Sequence, residues 1–464
     1  MCILSEFLII PAIFITLRTY FYYMQTASKK VINGWAMYDW ANSVYSLVIT
    51  TTFFPIYYTE MTMASPFNGE VHFFGRTFVN TALYNYALAF TYLVVAITLP
   101  ALSSIADYKG NKKKFMQAFC TLGAVACSGL YFFTPENFGL GIICMMVAAF
   151  GFYSSLVFYN SYLPEIAAEK DRDRVSAKGF TYGYIGSVLM QLFGFALVVF
   201  WNKIPFLHSA GDAVRWTFLL VGIWWVGFAQ ITFKRLPKSF PSEKLNPNKN
   251  FISGGFIELR KVFRQLIKMP VLKRFLFALF FYNMGVQTVM LAATNFGSKV
   301  LNLPSTKLII TVVLIQLVAI AGAYLMAKLS GMYGNLQTLI GIVIFWIGIC
   351  VAGYYMQSEY HFYILAIAVG LVMGGIQALS RSTYSKLMPV TNDTASFFSF
   401  YDVTEKVAIV IGLSSFGFIE ELTGSMRNSV LSLMVFFTIG LIGLISALHR
   451  RQKDERLLLQ KATI

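Results

Sequence analysis

Twelve apolar stretches of roughly 20 residues follow one another along this chain, each close to the length that crosses a hydrocarbon core about 30 Å thick. They fall at residues 36–58, 78–101, 115–134, 139–163, 180–201, 214–233, 274–297, 306–329, 337–356, 361–380, 403–420 and 428–448. Of the 464 residues 57% are hydrophobic and 12% charged, whereas soluble domains carry about 25% charged residues. No soluble fold could bury that much apolar surface. The expected fold class is an all-α membrane protein with twelve transmembrane helices, and the widest gap, between the sixth and seventh, splits it into halves.

Lysine and arginine resist translocation and mark the cytoplasmic side. With the N-terminus inside, only Arg76, Lys203, Arg215, Lys299, Lys307 and Arg427 fall outside. The net charge of +16 then describes an inner surface facing anionic lipid head groups, not a nucleic-acid patch. The expected location is a bacterial inner membrane with both termini inside. Residues 1–23 are apolar but interrupted by Pro11 and Arg18 and lack a basic leading region. That argues against a cleaved signal peptide, so residues 1–28 are expected to be an N-terminal appendage or interfacial segment.

The five cysteines show no C-x-x-C spacing and the four histidines no H-E-x-x-H cluster. Serine-hydrolase, Walker A and dinucleotide-binding patterns are missing as well. The expectation is a protein that is not an enzyme and holds no metal or cofactor.

Between the halves, residues 250–272 place Phe256, Leu259, Phe263, Leu266 and Ile267 on one helical face and Arg260, Lys261, Arg264 and Lys268 on the other. This pattern predicts an amphipathic helix lying in the inner interface. The halves also resemble each other. Gly110 and Asn111 after the second span align with Gly334 and Asn335 after the eighth, at an offset of 224, and Pro164 aligns with Pro389 at 225. The expected organisation is a six-helix bundle over 29–236, a linker over 237–272, a second bundle over 273–450 and a cytoplasmic tail over 451–464.

The twelve spans, the basic central loop and "SSIADYKGNKKK" resemble the major facilitator superfamily, whose loop between the second and third spans reads G-x-x-x-D-[RK]-x-G-[RK]-[RK]. Asp107, Gly110 and Lys112 match that pattern; Ser103, Tyr108 and Asn111 depart from it. More specific are "GWAMYDWANSVYSLVITTTFFPIYY", "RVSAKGFTYGYIGS", "GGIQALSRSTYSKLMP" and "SFFSFYDVTEK". Together they look like the autophagy-related vacuolar amino-acid effluxer family and its bacterial relatives, from Lys29 to Arg450. The resemblance implies that Asp107 fastens the cytoplasmic face closed. Relatives often carry an acid in the seventh span where this chain has Met284, which implies that a proton or cation site built on that acid is absent or relocated here.

An ionised group in the bilayer centre costs about 2.5 to 3.5 kcal/mol even on lenient scales, so such residues persist where they face water, a partner or a substrate. Asp39 is expected about 9 Å from the inner end of the first span, on one face with Asn42 and Ser43. It suits a proton acceptor, a counter-ion for a substrate amine, or a packing carboxylate. Trp40 and Tyr45 are placed to stack on a solute. Arg381, with Gln377 one turn away, suits a bidentate carboxylate site or an inner gate latch, with Glu165 or the pair Tyr159 and Asn160 as partners. Asp402, Glu405 and Lys406 open the eleventh span; Lys406 opposes the helix dipole and needs Asp39, Asp402 or a substrate opposite it. Asn283 and Gln287 in the seventh span are neutral polar groups equally suited to ligand contact or helix–helix hydrogen bonding.

The substrate and ion pathway is therefore expected at Asp39, Trp40, Asn42, Tyr45, Asn283, Gln287, Gln377 and Arg381. Gating is expected at Asp107, Gly110, Lys112, Tyr159, Asn160, Glu165, Asp402, Glu405 and Lys406. The function expected is secondary transport of a small organic solute, an amino acid or peptide-like molecule, by alternating access in a monomer, with proton coupling through Asp39. The alternatives are a lipid or drug transporter of the same fold and a non-transporting membrane receptor.

Overall fold

The computed structural model describes residues 25–239 and 251–462. Residues 1–24 of the expected appendage 1–28, and the middle of the linker, lie outside the described residues.

Among the described residues twelve long helices carry the fold. The first, α1, consists of three abutting segments, Lys29–Val44, a π-helical stretch Tyr45–Phe53, and Phe54–Met63. The π stretch contains Val48, Ile49 and three consecutive threonines, and the hydroxyls of Thr51 and Thr52 both donate to Leu47 O. Crowded β-branched side chains and hydroxyls competing for carbonyls loosen the turn there. A two-stranded antiparallel hairpin, β1 (Glu70–Phe73) and β2 (Arg76–Val79), joins α1 to α2. Then come α2 (Asn80–Lys109), α3 (Lys112–Gly129), α4 (Phe138–Ser161), α5 (Arg172–Val199) and α6 (Ala210–Arg235). After the linker helix Phe251–Lys268 follow α7 (Pro270–Leu301), α8 (Ser305–Tyr333), α9 (Asn335–Tyr355), α10 (Glu359–Leu387), α11 (Thr394–Thr423) and α12 (Met426–Ala462).

Ten of these helices are long and apolar enough to cross a membrane. The remaining two, α1 and α11, carry Asp39 and the Asp402–Glu405–Lys406 cluster respectively. Their polar content makes sense only where protein replaces lipid as the neighbour.

The packing pattern is twofold. Within the first half α1 lies on α5 and α6, α3 on α4 and α6, and α2 on α4; within the second, α7 lies on α11 and α12, α9 on α10 and α12, and α8 on α10. Between the halves α2 meets α11 and α5 meets α8, while α4 meets α11 and α5 meets α10. Every contact thus has a partner six helices away, the arrangement of two pseudo-symmetric six-helix bundles. The aligned loop glycines show why the repeat kept them: Gly110 and Gly334 have φ of 64° and 91°, a region that a side chain disfavours, at tight turns into α3 and α9.

The linker helix packs on α2 and α11. Only part of the expected apolar face meets protein. Glu258, Val262 and Leu266 are buried, whereas Phe256, Phe263 and Ile267 remain exposed, with Phe263 also reaching the Phe400 ring. The physical reason is that the bundle already fills one side of this helix, so its largest apolar groups turn outward, away from α2.

Candidate functional site

The polar residues collect where the bundles meet. For orientation, the end of the bundles that carries the linker is called the linker end.

At the linker end Asp107, on the last turn of α2, is fully buried and accepts hydrogen bonds from Ser396 N at 2.6 Å, Ser396 Oγ at 2.7 Å and Ala395 N at 3.3 Å. The two amides belong to the first turn of α11, are left without intrahelical acceptors and carry the positive end of the helix dipole. A carboxylate from one bundle therefore caps a helix of the other. Lys112, just past the Gly110 turn, is also buried; it pairs with Glu165, donates to Thr394 Oγ1 at 2.7 Å and lies 3.9 Å from Asp107. On the pseudo-symmetric side Asp173, in the first turn of α5, accepts from Ser330 Oγ (2.8 Å), Asn335 Nδ2 (2.7 Å) and Lys386 Nζ (2.7 Å). Arg172 beside it donates to Ser385 O at 2.7 Å. Both carboxylates bridge the bundles.

One layer deeper stands Arg381, six residues or about 9 Å before the end of α10. Its guanidinium belongs to the second bundle, but its partners come from the first. Nε donates to Ser176 Oγ at 2.9 Å, Nη2 to Ser176 O at 2.8 Å, and Nη1 to Asn160 Oδ1 at 3.1 Å and Asp39 Oδ2 at 3.3 Å. The rings of Phe180, Trp35 and Tyr159 surround it at 4.2, 4.9 and 5.4 Å. Tyr159 also donates to Asp39 Oδ2 at 2.7 Å. The ion pair is buried, one charge against one, and hydrogen-bonded through Nε and both Nη atoms of the guanidinium and through Asp39 Oδ2, which accepts twice, the condition under which a buried pair is tolerated.

Gly179 makes this approach sterically open. A Cβ there would stand 2.5 Å from Asp39 Oδ2, 2.8 Å from Tyr159 Oη and 2.9 Å from Arg381 Nη2. Ser176, Gly179 and Asp173 were not singled out from the sequence. The signal was present for the glycine: in "GFTYGYIGS" small residues recur at i, i+4 and i+7, which seats α5 against α1.

The eleventh helix holds a second buried cluster. Lys406 Nζ lies 3.1 Å from Asp402 Oδ1 and 3.8 Å from Glu405 Oε2, and 4.3 Å over the Tyr153 ring of α4. Asn283 Nδ2 donates to Glu405 Oε1 at 3.2 Å. Of the partners expected for Lys406, Asp402 is the one supplied. Gln377 accepts from Tyr184 OH at 2.7 Å, joining α10 to α5 near mid-height, and Gln191 and Gln316 join α5 to α8 at 3.0 Å farther from the linker. Gln287 is partly buried one turn from Asn283.

Several expected residues are not brought to the inter-bundle face. Trp40 stacks on Trp224 at 5.6 Å and Tyr45 on Trp225 at 5.6 Å, both on α6, so their rings pack inside the first bundle where burial of a large ring is most favourable. Asn42 is buried beside Asp39 without reaching Arg381; its Oδ1 accepts from Ser43 Oγ at 3.4 Å. Glu165 pairs with Lys112 rather than Arg381, because it sits at the end of the bundle, a layer below the guanidinium. Asp39 itself lies ten residues, about 15 Å, into α1, since the helix begins at Lys29 rather than at residue 36. A small apolar cavity of about 70 Å³, lined by Val289, Phe296, Cys350 and Phe416 among others, lies wholly in the second bundle and touches none of these groups.

Residues 27–456 match the family described as "Vacuole effluxer Atg22 like". The chain belongs to this family. An uncharacterised MFS-type transporter of Bacillus subtilis, YxiO, is 33% identical over 420 residues, covering 90% of this chain and 95% of its own. Autophagy-related protein 22-2 of Aspergillus oryzae is 26% identical, covering 81% of this chain and 76% of its own. Among solved structures, the transporter FucP in the outward conformation superposes with a TM-score of 0.67 at 14% identity, over 90% of this chain and 97% of that one. The human organic anion transporter MFSD10 also gives 0.67, at 11% identity, over 90% and 98%. At such identities the likeness shows the fold, which is that of the major facilitator superfamily. This Atg22-like chain is a multi-pass membrane protein of a transporter family.

Proposed function

We propose that this Atg22-like protein is a secondary transporter moving a small organic solute, an amino acid or peptide-like molecule, by alternating access, and that the layer around Arg381 is its inner gate. The observation that carries the reading is the seating of Arg381, a cation of the second bundle, in a pocket built entirely by the first. Polar bonds between bundles concentrate toward the linker end. Rocking the bundles apart there breaks the Asp107 cap, the Asp173 bridge and the Arg381 latch together. In this reading Asp39 holds the latch. It is not a free proton acceptor, because a permanently charged guanidinium already answers its charge.

The linker end is the cytoplasmic side by the positive-inside rule, in a bacterial inner membrane. The linker helix rests there on anionic lipid through Arg260, Lys261, Arg264 and Lys268. Transport needs no second copy of the chain. The amino-acid assignment rests on the family and on its effluxer description.

Purified protein in liposomes, offered labelled amino acids, dipeptides, sugars and nucleosides, tests the reading. Flux of amino acids or dipeptides that is lost on Arg381→Ala is expected. Flux of sugars or nucleosides alone would overturn the substrate class, and undiminished flux in Arg381→Ala would overturn the gate.

A further inference from the structure

Charge counting separates the two buried clusters. Asp39 and Arg381 cancel. Asp402, Glu405 and Lys406 do not: two carboxylates face one ammonium, a net charge of −1 when all are ionised. They lie about 12 to 18 Å from the first residue of α11, close to the middle of a core about 30 Å thick. An uncompensated charge at that depth is the most unfavourable arrangement the bilayer offers.

The surroundings do not supply the missing positive charge. From α7 come Asn283, bonded to Glu405, and Tyr282, whose hydroxyl pairs with Ser380 at 2.7 Å. From α2 comes Tyr92 and from α4 Tyr153, their hydroxyls 3.0 Å apart and the Tyr153 ring against Lys406. Tyr401 lies beside Glu405 on α11 itself. Among the described residues, α12 and the linker helix bring no titratable group into contact with it. All these neighbours are neutral; the Arg381 charge of α10 reaches Tyr401, but it is already answered by Asp39. In addition, Asp402 Oδ2 is buried and has no hydrogen-bond partner, so this carboxylate has an oxygen waiting for a hydrogen. Glu405, with 22% of its side chain exposed, is the member of the cluster least covered by protein.

We propose that Asp402 and Glu405 together bind one exchangeable proton and form the coupling site of the transporter, separate from the Asp39–Arg381 gate. A proton fits where a metal cation does not, because Lys406 already occupies the space between the carboxylates at 3.1 and 3.8 Å. The step is the addition of H⁺ from water to a carboxylate oxygen, with Glu405 as the entry point; no other bond forms or breaks. Uptake neutralises the cluster and releases Lys406 from one carboxylate. Because Lys406 also rests on Tyr153 of the opposite bundle, that release alters a contact between the bundles. Proton occupancy and the packing of α11 on α4 are thereby linked.

The coupling part of this inference rests on the reading as a secondary transporter; the proton site itself does not. The carboxyl stretching band of the purified full-length protein, followed by infrared difference spectroscopy across the neutral pH range, tests the site without any substrate. In a Glu258→Gln background, which removes the linker-helix carboxyl, a titrating carboxyl band is expected that survives Asp39→Asn and is lost in Asp402→Asn and in Glu405→Gln. A titration unchanged in both of the latter variants, or changed only in Asp39→Asn, would overturn the site. Transport then tests coupling. With an inward gradient of one pH unit and no membrane potential, one coupled proton supports about tenfold accumulation of the transported amino acid, falling to equal distribution in Glu405→Gln. Tenfold accumulation in that variant, or accumulation in wild type that follows sodium and ignores pH, would overturn coupling through this site. Absence of all amino-acid and dipeptide flux in wild type, with the carboxyl band in place, would instead count against the substrate assignment.

Discussion

The Asp39–Arg381 pair and the Asp402–Glu405–Lys406 cluster are both buried ionic groups in the same interface, and they are built oppositely. The first draws its charges from both bundles, balances them one to one and surrounds the cation with acceptors and rings. The second keeps all its charges on α11, leaves one negative charge in excess and leaves Asp402 Oδ2 unsatisfied. A charge-balanced pair drawn from two bundles holds surfaces together; a cluster with a charge in excess has something left to bind. The difference between latch and ion site is thus one of stoichiometry and of which helices supply the charges.

The largest expected effect comes from removing the lone cation of the unbalanced cluster. Lys406→Met strands two carboxylates, and a loss at or above the about 3 to 5 kcal/mol typical of breaking a buried pair is expected in thermal unfolding of the purified protein. A smaller loss than that of Arg381→Gln would contradict the contrast drawn here. Arg381→Gln strands one carboxylate that keeps the Tyr159 hydroxyl, so its loss belongs to the lower end of that same range of about 3 to 5 kcal/mol. Adding Asp39→Asn to Arg381→Gln is expected to recover part of it, because no charge remains unpaired. A double variant no more stable than the single one would show that the pair does not act as a unit.

Gly179→Ala sharpens the steric side. The new Cβ overlaps three latch atoms at 2.5 to 2.9 Å, and overpacking of this kind costs about 1 to 3 kcal/mol. The expected readout is faster labelling of a reporter cysteine placed at the linker end, as the latch opens; unchanged labelling would mean that α5 moves aside without disturbing Arg381.

The smallest effect is expected outside the membrane, at the linker helix. Burial of the Glu258 carboxyl, together with the nearby Asp393 carboxylate, raises its pKa from 4.5 to about 7 against the opposing pull of Lys261 at 3.1 Å. The docked helix therefore binds the proton more tightly than the undocked one. Docking is favoured below the free value, weakens as pH rises through the interval from 4.5 to about 7, and is weakest above it. Hydrogen-exchange protection of the segment Phe251–Lys268, the ratio of intrinsic to observed rate at each pH, is expected to be lower at pH 8 than at pH 6, and in Glu258→Gln to be equal at both. Protection that rises with pH in the wild-type protein would reverse the sign and sink this account.

How much of this was readable beforehand follows from the range of the forces involved. The spans and the repeat are local: a run of apolar side chains must cross the bilayer whatever its neighbours are, and Gly110 and Gly334 mark equivalent turns because each turn needs a positive φ within a few residues of chain. Asp39, Arg381, Asp402, Glu405 and Lys406 stood out for the same reason, as charges in apolar sequence. Their partners did not. Asp173 stands in the charged run "EKDRDR", and nothing in its own surroundings announced Ser330, Asn335 and Lys386, between 157 and 213 residues away.

The linker helix makes the same point with apolar residues. Its amphipathic pattern is visible in the sequence, yet which stripe meets protein and which faces outward depended on the surface that α2 and α11 present. Sequence alone determined that this chain crosses the membrane, folds as two related bundles and carries charges that need partners, because hydropathy and backbone geometry act over a few residues. Only the tertiary structure decided that Asp39 is balanced and the α11 cluster is not. That balance depends on contacts between residues as far as 342 positions apart, and a buried charge is set by whatever stands within a few ångströms of it.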